Sequence, residues 1–179
     1  MTGDNLDNYM SEIVLRHATD ADAGEAWRIL DAARRRMLAA GKRQWSMEYP
    51  SPANVEADIS AGTAIVAVDR SERRSGDGAA PLAGGAAYDN IDGRWLTDGE
   101  PYLTVHRLAI APEALRRGVA SEMMRRLENY AVDEGMHSIR IDTNYDNEAM
   151  LRMLERLGYS GCGVVRYASG ERMAFEKKL

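Results

Sequence analysis

The run His106-Arg107-Leu108-Ala109-Ile110-Ala111-Pro112-Glu113-Ala114-Leu115-Arg116-Arg117-Gly118-Val119-Ala120 joins an apolar strand, a basic glycine turn and an amphipathic helix without interruption. Upstream, Tyr102 to Ile110 is mostly β-branched, aromatic or aliphatic, and Pro112 closes the pattern by removing a backbone donor. Downstream, Val119, Met123, Leu127, Tyr130 and Ala131 recur at helical spacing, with Glu122, Arg125, Arg126, Glu128 and Asp133 opposite and Gly135 as the stop. Arg116-Arg117-Gly118-Val119-Ala120 therefore stands at a helix entrance, where free N–H groups and the positive end of the helix dipole point outward. Such an entrance suits a phosphate or pyrophosphate, because the glycine admits the anion to the amides and the arginines add charged hydrogen bonds. An ordinary glycine turn with solvated arginines would use the same residues.

The flanking chain alternates strands and helices. A polar stretch, Met1 to Met10, reads as a flexible tail before a strand over Glu12 to Ala18. A helix starting at Thr19 or Asp20 buries Ala23, Trp27, Leu30, Ala33, Met37 and Leu38 and ends at Gly41, with Arg34, Arg35 and Arg36 on a solvated face late in the helix. An aromatic loop, Gln44 to Pro50, leads to a second helix, Pro52 to Ala61, capped by Ser51. Ala64 to Asp69 and Pro81 to Tyr88 read as a hairpin around a polar loop, and Asp89 to Pro101 as a loop over the sheet. After the anchor segment come a strand, Ser138 to Thr143, and a helix capped by Asp146 with its stripe Met150, Met153, Leu154 and Leu157. Gly158 stops that helix, and two closing strands follow, Tyr159 to Tyr167 and Arg172 to Glu176, around Ser169-Gly170.

With 179 residues the chain fits a single domain, 1–179, with no internal repeat or linker. A formal net charge of -5 argues against nucleic-acid binding through bulk electrostatics and is compatible with a cationic acceptor. Cys162 is the sole cysteine, which excludes an internal disulfide and a multi-cysteine zinc site, so no metal is expected. The acidic N-terminus and the lack of a long apolar run point to a cytoplasmic protein that does not enter a membrane.

The anchor stretch resembles the acetyl-coenzyme A signature of the GCN5-related N-acetyltransferase (GNAT) family, Gln/Arg-x-x-Gly-x-Gly/Ala after a strand. Gly118 and Ala120 match, Arg116 and Arg117 are typical fillers, and Leu115 departs at the Gln/Arg position. Asp146-Asn147-Glu148 opening a helix that ends Leu157-Gly158-Tyr159 is similar to the family's Asn-x-x-Ala...Leu-Gly-Phe/Tyr segment, and the order of elements agrees along nearly the whole chain. The resemblance implies an α/β (α+β) fold: a GNAT-like mixed, twisted β-sheet flanked by helices, with the anchor strand and the Ile139 strand splayed around acetyl-CoA. It implies an acetyl-CoA-dependent N-acetyltransferase that acts on a primary amine of a small molecule or protein by direct attack in a ternary complex, as a monomer or homodimer.

Site residues follow from the same resemblance. Leu108, Ala109 and Ile110 would bind the pantetheine arm through their amides, which requires an unpaired strand edge or a bulge. Arg116, Arg117, Gly118, Val119, Ala120 and Ser121 would hold the pyrophosphate, and Asn147 the pantetheine or phosphate side. Many members carry a proton-donating tyrosine seven residues after this asparagine, where this chain has Leu154. Water, Tyr145 or Tyr159 would then protonate the leaving thiolate. His106 is the candidate base, against removal of the amine proton through water. Trp45, Glu48, Tyr49 and Trp95 are acceptor-site candidates, since the loops carrying them border the acceptor cleft in this family and aromatic faces with a carboxylate suit an amine. A coenzyme-binding sensor without turnover is the alternative, given Leu154. A Rossmann-type nucleotide binder is disfavoured because no early Gly-x-Gly-x-x-Gly precedes a ribose-binding acid.

Overall fold

The computed structural model describes residues 13–69, 74–84 and 91–179, with side chains placed for 13–68 and 91–179. The expected tail at Met1 to Met10 and the end of the expected strand near Tyr88 lie outside the described residues. β1 (Ile13–His17) is followed by a 3-10 turn and α1 (Ala23–Ala39), α2 (Pro52–Ser60), β2 (Ala64–Asp69), β3 (Arg74–Gly84) and β4 (Ile91–Gly93). β5 (Tyr102–Val105), β6 (Ala109–Ile110), α3 (Val119–Asp133), β7 (Ser138–Thr143), α4 (Glu148–Arg156), β8 (Ser160–Tyr167) and β9 (Gly170–Lys178) complete the chain.

The helix starts follow from local chemistry. Thr19 forms a capping box with Asp22, and the Arg16 guanidinium, together with Thr19, holds that carboxylate well below its usual pKa. Ser51 forms a second box with Asn54 ahead of Pro52. In α4 the cap is Asn147 rather than the expected Asp146, whose carboxylate instead accepts from the Asn144 side chain. β3 begins at Arg74 instead of Pro81, because backbone pairing with β2 continues through Gly78 and Ser75 across a register shift at Ala67/Val68. Small residues with little strand preference are carried there by the ladder.

The described strands run in the order β1-β2-β3-β5-β7-β9-β8-β4, with β6 also on β3. All pairs are antiparallel except β5 with β7. The core gathers Ile13, Ile29, Met123, Met124, Leu127, Ile139 and Leu154, all fully buried, beneath the amphipathic faces of α1, α3 and α4.

One irregularity positions the site. The expected single strand Tyr102 to Ile110 is two strands, interrupted at His106-Arg107-Leu108. β5 pairs with β7 only as far as Val105–Ile141, whereas β6 stays with β3. Between Val105↔Leu82 and Ala109↔Ala79 the chain advances four residues against three on β3. One residue is extra, and Arg107 absorbs it at a φ of 51°. Beyond Val105 the central pair therefore splays, and the inner edge of 106–110 has no strand partner among the described residues.

Candidate active site

A cleft of about 870 Å3 opens at the splay, lined by the interruption, by the near ends of α3, α4 and β7, by the 43–49 loop and by the β8–β9 turn. Of the residues singled out from sequence, His106, Leu108, Ala109, Ile110, Ala120, Asn147, Trp45 and Tyr49 line it.

The wall from α3 and α4 has the character of an anion-and-amide site. Leu115 and Ala120 line the cleft, and the turn between them contains Arg116 at φ 62° and Gly118 at φ 83° as the α3 N-cap. Only glycine takes the latter conformation without strain, and it leaves the first-turn amides of Val119, Ala120 and Ser121 without intrahelical partners. Arg116, Arg117, Gly118, Val119 and Ser121 do not themselves line the cleft, and the Val119 side chain is in the core. The Asn147 amide donates to Thr143 Oγ1 at 3.1 Å and to Gln44 Oε1 at 3.4 Å. Gln44 Oε1 also accepts from the Thr143 hydroxyl and the Asn144 amide, so Gln44 ties the 43–49 loop to β7 and the α4 entrance.

The opposite wall holds the titratable groups. His106 Nδ1 faces Asp142 Oδ1 at 3.9 Å. Burial pulls the imidazole pKa below its ordinary 6.5, with Asp142 opposing and the Arg107 guanidinium adding to the fall. Tyr167 also lines the cleft, and burial, then the charge of Asp142 and the hydrogen bond to it, push its phenol well above the usual range. Arg107 is clamped by both Asp58 oxygens at 2.7 and 2.8 Å and donates to the Tyr49 hydroxyl at 2.8 Å, which fixes the interruption against α2 and the aromatic loop.

Several expected assignments move. Tyr145 is 53% exposed and does not line the cleft. Tyr159 is buried beneath Lys177, which pairs with Glu128 of α3, away from the cleft. Trp95 does not line the cleft, but packs on Val165 and Ala174 with the Arg140 guanidinium 4.4 Å from its ring centre. Its loop is drawn there because Glu176 accepts the Leu96 and Thr97 amides. Glu48 does not line the cleft and accepts from Ser46 Oγ at 3.0 Å on the surface. Leu154 is fully buried in the core, and the cleft-facing residues of α4 are Ala149, Met150 and Met153. The sequence does not single out Gln44, Asp142, Tyr167 or Arg172, which also line the cleft. Strand alternation sets Asp142 opposite the apolar Ile139 and Ile141, whereas the others reach the cleft only through long-range pairing.

No group of three or more metal-ligating side chains occurs among the described residues. A match to the family described as Acetyltransferase (GNAT) family covers residues 33–159. The chain is similar to the crystal structure of a GNAT-family acetyltransferase from Streptococcus agalactiae, with 30% identity over 93% of this chain and 95% of that one, and a TM-score of 0.82. A GNAT-family acetyltransferase from Listeria monocytogenes shares the fold at 18% identity, with the same two coverages and a TM-score of 0.73. A chain of the NatC complex, solved bound to Gag peptide and CoA, does so at 15% identity over 94% of this chain and 99% of that one, with a TM-score of 0.67. The splayed mixed sheet, the glycine-turned entrance to α3 and these similarities together place the chain in the GNAT family of acetyltransferases, as an N-acetyltransferase.

Proposed function

We propose that the protein transfers the acetyl group of acetyl-CoA to a primary amine by direct attack within the cleft, both substrates being bound together. The observation that carries this reading is the strand interruption at 106–108 opening onto the α3 entrance, which sets an unpaired backbone edge beside free helix amides. The residues present fit the coenzyme. The edge of Leu108, Ala109 and Ile110 suits the amide-bearing arm, while Arg116, Arg117 and the amides of Gly118 to Ser121 suit the pyrophosphate. Asn147 keeps its carbonyl oxygen for the arm while its NH2 braces Thr143. Acetyl-CoA supplies the activated thioester.

The chain's own part in the chemistry is proton management and orientation. His106 takes the ammonium proton, since its lowered pKa keeps it neutral at physiological pH, and Asp142 stabilises the imidazolium that results. Trp45 and Tyr49 wall the acceptor side, with Tyr49 held by Arg107. Water protonates the departing thiolate, because Leu154 carries no proton, Tyr145 and Tyr159 do not line the cleft, and the Tyr167 hydroxyl is committed to Asp142. The test is release of free CoA thiol on adding amines to protein and acetyl-CoA, with the N-acetyl product identified by mass. Amine-dependent release supports transfer. Binding of acetyl-CoA without release for any amine would favour a coenzyme-binding sensor instead.

A further inference from the structure

Building on the transfer reading, we infer that the acceptor is an amine bearing a carboxylate a few bonds away, as in amino acids, and that Arg172 binds that carboxylate. Arg172 lines the cleft and is only 6% exposed. Its hydrogen bonds go to three neutral oxygens: the Glu171 carbonyl at 3.0 Å, the Gln44 carbonyl at 3.2 Å and Ser169 Oγ at 3.4 Å. Among the described residues no carboxylate pairs with it. A guanidinium has five N–H donors, so donors remain for a ligand. A buried cation without a counter-ion is costly unless an anion arrives to neutralise it, and the planar fork of arginine matches a carboxylate.

The surroundings fix where the amine of such an acceptor belongs. Among the described residues Asp142 is the one carboxylate residue lining the cleft, against Arg36, Arg43, Arg172 and the Asp58-paired Arg107. Asp142 pairs in register with Ala174, two residues from Arg172, on the same face of the sheet. Diagonal neighbours of this kind are roughly 7–8 Å apart at Cα. An ammonium at Asp142 and His106 would thus place a nearby carboxylate toward Arg172. The arginines lining the cleft outnumber its carboxylate although the whole chain is acidic.

The experiment measures kcat/KM at saturating acetyl-CoA for matched acceptors: free amino acids, their carboxamides and the corresponding amines without the carboxyl group. Free amino acids should exceed their carboxamides by about tenfold to a hundredfold, as expected for a hydrogen bond to a charged group. Arg172→Gln should shrink that ratio toward one while the acetyl-CoA thermal shift persists, and Arg172→Lys should recover part of it. Acetylation of carboxamides as fast as free amino acids by the wild-type protein would overturn the carboxylate site and leave the transfer reading intact. Transfer to no amine, with acetyl-CoA bound, would contradict the transfer reading itself. The site is then decided by titrating N-acetylglycine and N-acetylglycinamide into the protein–CoA complex. Tighter binding of the carboxylate supports the site, and equal binding overturns it.

Discussion

Two arginines face the same side of the same sheet, both almost wholly buried, and their surroundings could hardly differ more. Arg140, 5% exposed, pairs with the fully buried Glu176 at 3.1 Å and lies over the rings of Tyr102 and Trp95, 3.7 and 4.4 Å from their centres. Burial alone would raise the Glu176 pKa, but hydrogen bonds from Ser138, Thr97 and Arg140 bring it below the ordinary carboxylate value. Arg172, 6% exposed, donates hydrogen bonds to neutral oxygens only among the described residues. The fold completes the first charge and leaves the second open to the cleft. Burial of a charge therefore does not reveal its purpose, whereas the presence or absence of its counter-charge does.

The largest effect should come from breaking the completed pair. Arg140→Met leaves Glu176 buried without a counter-charge, a loss of about 3–5 kcal/mol. Arg172→Met removes hydrogen bonds to neutral oxygens that cleft water can replace together with a buried cation that lacks a counter-charge, so the loss should be at most about 1 kcal/mol. Denaturant unfolding of the two variants measures both, and equal losses would erase the distinction.

The next test moves to the wall where the opening for charge is made by backbone. Gly118→Glu adds a side chain and a like charge where a pyrophosphate would approach. The wild-type protein should gain about 2.7 kcal/mol of stability at a hundredfold excess of acetyl-CoA over Kd, and the variant none. A persisting shift in the variant would place the coenzyme elsewhere.

His106 sharpens the comparison on the titratable wall. If it is the base, kcat/KM rises through a pKa below 6.5, and His106→Gln removes that limb with a loss of about a hundredfold. Its folded pKa is lowered, so its contribution to stability is complete above 6.5 and is lost as pH falls toward the folded value. Unfolding free energies should fall with acidification across that window in the wild type and less steeply in His106→Gln. Superimposable rate profiles would reject His106 and leave water as the base.

Leu154→Tyr should leave turnover unchanged and separates core from cleft. At a fully buried position the ring and hydroxyl overpack the core, costing about 1–3 kcal/mol without a gain in turnover. A faster enzyme of unchanged stability would mean that position 154 reaches the thiol after all.

What the sequence discloses follows the range of the interactions. The α3 entrance was legible because a strand, a glycine turn and a helix are adjacent in the chain, and each element speaks through its own period. The break at His106-Arg107-Leu108 was not, since it depends on β6 keeping β3 while β5 keeps β7, a contest between partners tens of residues away. Tyr145 and Trp95 were misplaced for the same reason. Their segments look like site loops, but one turns outward and the other is held over Arg140, outside the cleft, by Glu176. Arg172, four residues from the end of an apparently ordinary strand segment that closes at Glu176, gave no local sign of its missing partner.

The central claim is that the interrupted strand and the α3 entrance are two walls of one acetyl-CoA site, and amide hydrogen exchange with and without acetyl-CoA tests it most directly. The account predicts slowed exchange together at 106–110 and at 118–121, with little change in β1 and β2. Slowing at neither segment under saturating acetyl-CoA, or at one without the other, would contradict it.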